Sequence, residues 1–125
     1  RHGAGSGIAS FPRHARLTDS RSFSRVFAHA NRVADSRLTL LYRGRSDSGG
    51  ARLRLAVSRR VAPRAVDRNR IKRIIRECFR QYRPDLPAVD VVIIARARAR
   101  QAPREELHGA IARLLRRMQR QCDKD

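Results

Sequence analysis

One short run, residues 89–95 (VDVVIIA), restricts the possible folds more than any other feature of this sequence. All of its residues except Asp90 are apolar, and most of them are β-branched. An apolar run of strand length without alternation is typical of a strand that is buried on both faces. Such a strand must be covered on both sides, so we expect a central strand within a layered domain.

Two amphipathic helices are predicted on either side of this run. The first covers residues 65–83, because apolar residues recur there at helical intervals and Pro84 follows. Its apolar stripe consists of Ile71, Ile74, Ile75, Cys78, Phe79 and Tyr82. The second begins near Pro103, with Glu105 and Glu106 in a first turn where carboxylates complement the helix dipole. Its apolar face consists of Leu107, Ile111, Leu114, Leu115 and Met118.

The N-terminal half predicts one more helix and two strands. Thr18 and Asp19 are good N-cap residues, and the apolar Phe23, Val26, Phe27 and Ala30 follow at helical spacing. Residues 37–43 and 52–58 alternate as strands do, and the loop 44–50 between them is rich in glycine and serine. The two strands are therefore predicted to form an antiparallel hairpin. The complete order, helix, strands, helix, strand, helix, indicates an α+β fold (an α/β sandwich).

The net charge defines the class of partner. Thirty Lys and Arg residues against 11 Asp and Glu residues give a formal charge of +19 in 125 residues. So small a folded chain repels itself, and a polyanionic partner is the simplest reason for the charge. Nucleic acid is the first candidate and an anionic membrane surface the second. No apolar run approaches the roughly 18 residues of a membrane span, and no basic helix has a spare apolar face, so a membrane partner is not expected.

The charge is concentrated in residues 52–83, which contain 12 basic residues and only two acidic ones. On a helix, Arg68, Lys72 and Arg76 form one i, i+4 ridge, with Arg70 and Arg73 beside it. Like charges at this spacing cost about 0.2–0.5 kcal/mol per pair in an isolated helix, and a partner that neutralises them removes that cost. The alternative is an ordinary solvated face. Asn69 can either contact a base edge or a ribose hydroxyl, or bond to the preceding loop.

The sequence predicts no catalytic or metal site in the chain itself. Cys78 and Cys122 are too far apart for a zinc motif and suggest a reducing, cytoplasmic setting, with Cys78 in the core. The four histidines are scattered, and the only adjacent carboxylates, Glu105 and Glu106, begin a helix. The glycines lack the strand–loop–helix context of a phosphate-binding loop.

Residues 65–80 (AVDRNRIKRIIRECFR) closely resemble the signature of the bacterial ribonuclease P protein family. Four further segments match that family in the correct order, and the resemblance covers about residues 11–120. These segments are residues 11–17 (FPRHARL), 23–27 (FSRVF), 55–60 (LAVSRR) and 90–96 (DVVIIAR).

The resemblance implies a small mixed sheet packed with three helices, similar to a ribosomal-protein domain and containing a left-handed crossover. Residues 1–10 contain three glycines and two serines and show no periodicity, so they are expected to be a flexible extension or a non-native remnant. The resemblance implies one RNA-binding domain over residues 11–121, with residues 122–125 as a tail. It also implies a subunit that assists a catalytic RNA in removing the 5′ leader of precursor tRNA. In that family the RNA holds the Mg²⁺ ions and performs the hydrolysis. The partners are then the catalytic RNA and precursor tRNA, with no DNA and no membrane.

The family motif also implies two sets of contact residues. Those expected to face the catalytic RNA are Ser58, Arg59, Arg60, Arg68, Asn69, Arg70, Lys72, Arg73 and Arg76. Those expected in a cleft for the leader are Phe23, Phe27, Leu41 and Tyr42, since aromatic rings stack on single-stranded bases. Core packing is the alternative role for both phenylalanines. The sequence leaves open whether Leu41 or Tyr42 faces that cleft.

Three other functions compete with this interpretation. A ribosomal or chaperone-like RNA-binding protein shares the fold but needs neither the 65–80 block nor Phe23 and Phe27. A DNA-binding protein that uses the 65–83 helix for recognition is disfavoured, because a strand and not a helix precedes it. An independent metal-dependent nuclease lacks clustered carboxylates.

Overall fold

Four strands form one mixed sheet in the computed structural model, which describes residues 30–47 and 49–124. The strands are β1 (Asn31–Ala34), β2 (Leu38–Gly44), β3 (Arg52–Ala56) and β4 (Val89–Ala95). Their order across the sheet is β1-β2-β4-β3. β2 is antiparallel to both β1 and β4, whereas β3 and β4 are parallel, so the chain between β3 and β4 must cross over the sheet.

Strand β4 is central and nearly completely buried, as its apolar run predicts. Only Ile94 is partly exposed among its residues. Successive side chains point to opposite faces of the sheet. Val91 and Ile93 belong to the main core under the helices, whereas Val92 points to the other side and packs with Leu41. We call these two sides the helix face and the far face.

The predicted hairpin between residues 37–43 and 52–58 is wrong. The strands themselves exist as β2 and β3, but β4 lies between them and pairs with both, so that Leu40 and Leu55 flank Ile93. A loop rich in glycine and serine specifies a change of direction, and it does not specify which strand becomes the neighbour. The strand that must be buried on both faces takes the central position.

The hairpin that the described residues do contain joins β1 to β2 at Asp35. Its Oδ1 accepts hydrogen bonds from the backbone N–H groups of Arg37 (2.7 Å) and Leu38 (2.9 Å). Its own N–H donates to the carbonyl of Leu38 at 2.9 Å. A short polar side chain that bonds to the backbone two and three residues ahead is a common way to close a turn.

Helices α1 (Ala65–Tyr82) and α2 (Arg104–Lys124) pack on the helix face and against each other. Both predicted apolar stripes are confirmed, since every member is buried except Tyr82, which is half-buried. Helix α2 continues through Cys122 to Lys124, into the residues expected to form a tail. Neither helix is both long and apolar enough to cross a bilayer, as far as the described residues go. The helix predicted from Thr18 to Ala30 lies outside those residues, apart from Ala30 itself.

Candidate nucleic-acid interface

A group of exposed cations lies at the edge of the sheet where β3 and β4 end. Because the two strands are parallel, their carboxyl ends meet at the same edge. The chain leaves β3 through a turn at residues 58–62 that leads into α1, and it leaves β4 through a 3-10 helix, Ala97–Gln101. We call this surface the basic edge. Its exposed cationic residues are Arg59, Arg60, Arg64, Arg96, Arg98 and Arg100.

Ser58 shapes the turn that presents Arg59 and Arg60. Its Oγ accepts a hydrogen bond from the N–H of Val61 at 3.2 Å, and its carbonyl accepts from Val61 (3.2 Å) and Ala62 (3.0 Å). The two arginines occupy the tip of this turn and are exposed. Ser58 therefore positions the two arginines, and all three residues are exposed to a partner.

Arg68 and Arg70, which the sequence assigns to the RNA-facing side of α1, bond to neighbouring loops. Arg68 Nη1 donates to the carbonyls of Ala62 (3.0 Å) and Pro63 (2.8 Å), which fastens the turn to the helix. Arg70 Nη2 donates to the carbonyl of Ala102 at 2.7 Å, which fastens the segment after the 3-10 helix. These bonds hold together the separate pieces of the basic edge.

The other predicted residues of α1 differ in exposure. Asn69 and Arg73 are exposed, and Lys72 and Arg76 are partly exposed. Asn69 makes no hydrogen bond to the preceding loop among the described residues, which leaves its amide available to a base edge or a ribose hydroxyl. Exposed Asn69 and Arg73 therefore extend the basic edge along the outer side of α1.

Four arginines of the basic edge did not emerge from the sequence as site residues: Arg64 just before α1, and Arg96, Arg98 and Arg100 after β4. The last three alternate with alanines, and Ala99 is fully buried while the arginines are exposed. The Nη1 of Arg96 donates to the carbonyl of Asp35 at 2.7 Å. Arg98 and Arg100 form no ion pair within the described ranges. The alternation of arginine with small apolar residues was the available signal, but only the parallel pairing of β3 and β4 places it beside α1.

Leu41 and Tyr42 cannot both line one cleft, because they point to opposite faces of β2. Tyr42 lies on the helix face, where it is buried and its hydroxyl donates to the side-chain carbonyl of Gln121 in α2. Leu41 lies on the far face with Val92, and 8% of it is exposed. Phe23 and Phe27 lie outside the described residues.

Among the residues that the structure describes, the titratable groups take part in ion pairs or are buried, and they do not form a reactive centre. Burial raises the pKa of the Cys78 thiol to about 11, so this core cysteine is protonated at neutral pH. A hydrogen bond from Arg104 at 2.8 Å lowers the pKa of Glu77. No group of three or more His, Cys, Asp or Glu side chains is arranged to hold a metal ion within the described part.

An α+β domain with cations collected on one sheet edge and almost no acidic side chains among them is a nucleic-acid-binding protein. The model of the family Ribonuclease P matches residues 11–119. The chain belongs to the ribonuclease P protein family, and it is thus a protein component of an endoribonuclease.

Similar proteins agree in sequence and in fold. The ribonuclease P protein component of Thioalkalivibrio sulfidiphilus is 41% identical over 112 residues, which cover 90% of this chain and 92% of the relative. That of Xanthomonas campestris is 44% identical over 107 residues, covering 86% and 71%. The solved RNase P protein of Staphylococcus aureus has a TM-score of 0.78 at 26% identity, covering 83% of this chain and 94% of that one. The protein from Thermotoga maritima has a TM-score of 0.72 at 26% identity, covering 82% and 96%.

Proposed function

We propose that this chain binds the catalytic RNA of ribonuclease P through the basic edge and the exposed side of α1, and holds the 5′ leader of precursor tRNA over the far face. The observation that carries the proposal is the convergence of three separate segments on one edge. The turn at 58–62, the start of α1 and the 3-10 helix each contribute arginines. One carboxylate stands among these arginines: Asp67, in the first turn of α1, whose Oδ2 lies 3.8 Å from Arg64 Nε.

The contribution of the protein is electrostatic. Two RNA molecules that approach each other carry many phosphates, and arginines placed between them reduce the repulsion and release counterions. Arginine suits this task because its planar fork donates two parallel hydrogen bonds to a phosphate. In this proposal the Mg²⁺ ions are held mainly by the catalytic RNA, and the chemistry they supply is the activation of water for hydrolysis. The described residues offer no carboxylate cluster that fits such an ion.

On the far face, Leu41 and Val92 form an apolar floor beside Ala30 and the partly exposed Ile94. Since Leu41 is almost fully buried, it offers little surface for direct contact with leader bases. We propose Phe23 and Phe27 for these contacts, because aromatic rings stack on unpaired bases of any sequence. We do not include Tyr42, because it is buried on the helix face and its hydroxyl donates to Gln121 of α2.

Reconstitution tests the proposal directly. The chain is mixed with the matching catalytic RNA and precursor tRNA at low Mg²⁺ and near-physiological salt, and leader removal is followed over time. We expect faster cleavage than with the RNA alone, since charge neutralisation raises the affinity for substrate and metal. Equal rates with and without the protein would contradict the proposal. A ribosomal or chaperone-like protein would bind these RNAs without increasing the cleavage rate.

A further inference from the structure

Three charged side chains form a row across the far face of the sheet. Arg43 in β2 and Arg52 in β3 are both register partners of Asp90 in the central strand. Residues that are directly opposite each other on neighbouring strands point to the same side. The row therefore runs Arg43, Asp90, Arg52, at the end of the sheet where β3 begins, and thus opposite to the basic edge.

The carboxylate in the middle of this row is engaged by other arginines. Asp90 is 2% exposed, and its Oδ1 accepts hydrogen bonds from Arg52 Nε (2.9 Å) and Arg45 Nη1 (3.0 Å). Arg45 in turn donates to Asp47 at 2.8 Å and to the carbonyls of Gly49 and Gly50, both at 3.0 Å. Asp90 therefore orients Arg52 and Arg45, and it does not serve as the acceptor for Arg43 Nη1.

Arg43 keeps one donor without an acceptor. Its Nη1 is the one buried side-chain nitrogen or oxygen with no hydrogen-bond partner in the described part of the chain. A buried N–H without an acceptor is unfavourable, and a native structure that keeps one calls for a reason. Since no hydrogen bond holds this nitrogen, it can turn towards an incoming acceptor without losing one.

Arg43 and Arg52 border an open pocket. It has a volume of about 260 Å³, and its lining includes Arg43, Arg45, Arg52, Ser46 and Asp47. The terminal nitrogens of Arg52 make no hydrogen bond among the described residues. They can therefore donate to a ligand in the pocket, as Arg43 Nη1 can. Along β2, Arg43 follows Leu41 by two residues and shares its face, so the pocket and the apolar floor lie on the same side of the sheet.

We propose that this pocket binds one phosphate group of an RNA strand that runs over the far face, with Arg43 and Arg52 as its ligands and Asp90 and Arg45 as the groups that orient the site. Guanidinium forks match phosphate oxygens in geometry and charge. The pocket is lined by three arginines and two carboxylates, Asp47 and Asp90, and the net charge of +1 matches a single phosphate charge. The inference rests on the proposed function, since it takes the strand to be the leader of precursor tRNA.

The test replaces leader phosphates one at a time with neutral methylphosphonates and measures the affinity of the reconstituted holoenzyme for each substrate. With the unchanged protein, we expect one position to lose about tenfold in affinity, the value of one strong charged hydrogen bond. Arg43→Gln should lose a similar factor with the natural leader and show no further loss at that position. Arg113→Gln, an exposed arginine on α2, is the matched control and should behave like the unchanged protein. If Arg43→Gln keeps the full sensitivity at every position, the pocket does not bind the leader.

Two further measurements separate this inference from the fold and from the proposed function. Because Arg43→Gln removes an unpartnered buried donor, the urea midpoint of this variant should be unchanged or higher. A lower midpoint with intact phosphate sensitivity would make Arg43 a structural residue.

Inorganic phosphate, titrated into the full chain against chloride at equal ionic strength, should shift the side-chain NMR signals of Arg43 and Arg52 more than that of Arg113. Equal shifts at all three would refute the pocket, even if the protein accelerates leader removal. Selective shifts in a protein that does not accelerate cleavage would refute the proposed function and leave the pocket standing.

Discussion

Arg68 and Arg73 lie on the same helix and carry the same charge, yet their surroundings assign them different tasks. Arg68 is partly buried and bonds to two backbone carbonyls of the preceding loop, whereas Arg73 is exposed. A guanidinium that satisfies backbone carbonyls stabilises the fold, because those carbonyls would otherwise have to find water. An exposed arginine in a cationic group adds repulsion that an anionic partner relieves. The family motif contains both kinds of arginine, and only the hydrogen bonds that each one makes distinguish them.

Substitution of these two arginines should separate stability from binding. Arg68→Ala should lower the free energy of unfolding by about 1.5–3 kcal/mol, the usual value of one hydrogen bond that involves a charged group. Arg73→Ala should change it by less than about 0.5 kcal/mol, as surface substitutions usually do, and should weaken binding to the catalytic RNA. Urea unfolding and a binding titration of both variants provide the measurements. A stable Arg68→Ala variant would mean that its bonds to Ala62 and Pro63 contribute little.

At the scale of elements, the parallel pair β3 and β4 decides where the charge is collected. The turn after β3 and the 3-10 helix after β4 are about 40 residues apart in the chain, and their strands bring them to the same edge. Arg70 connects the two by its bond to the carbonyl of Ala102. Buried Ala99 anchors the 3-10 helix to the core, while Arg98 and Arg100 on either side of it are exposed.

Removal of the arginine charges of the 3-10 helix should therefore weaken RNA binding as strongly as removal of the exposed arginine charges of α1. For Arg98→Gln combined with Arg100→Gln, we expect the slope of log affinity against log salt to become shallower by about 0.7–0.9 for each phosphate that is no longer neutralised. The control is Arg113→Gln with Arg120→Gln, which makes the same change in net charge on the exposed side of α2. If both pairs reduce the slope equally, only total charge matters and the basic edge is not a defined site.

At the scale of the whole molecule, two surfaces at opposite ends of one small sheet share a single core. The basic edge lies where β3 ends, and the arginine pocket lies where β3 begins. A chain of 125 residues with a charge of +19 holds these cations close together, and their repulsion opposes folding. The interior compensates with a continuous core between the sheet and both helices, which includes Phe79, Leu107 and Met118.

Salt should consequently stabilise the free protein. As the ionic strength rises from about 0.01 M to about 1 M, the screening length falls from about 30 Å to about 3 Å, so repulsion between distant arginines disappears. We expect Tm, measured by circular dichroism, to rise with sodium chloride. A Tm that stays constant or falls over this range would show that ion pairs such as Arg45 with Asp90 outweigh the repulsion between cations.

Much of this protein is determined by local pattern alone. The apolar run 89–95, the two helical stripes and the alternation in β2 and β3 are all visible in the sequence, because burial of a strand or a helix face follows its own period. The concentration of charge in residues 52–83 and the family motif are both patterns of residues that are close in the sequence. A nucleic-acid partner was therefore predictable.

Tertiary structure alone decided which segments become neighbours. Nothing in the loop 44–50 shows that β4 separates β2 from β3, and this pairing creates both the row of Arg43, Asp90 and Arg52 and the basic edge. It also sends Tyr42 into the core while Leu41 faces the other way. The physical reason is that the sequence gives each arginine its charge but not its surroundings. Whether an arginine meets a carbonyl, a carboxylate or solvent depends on strand register across distant parts of the chain.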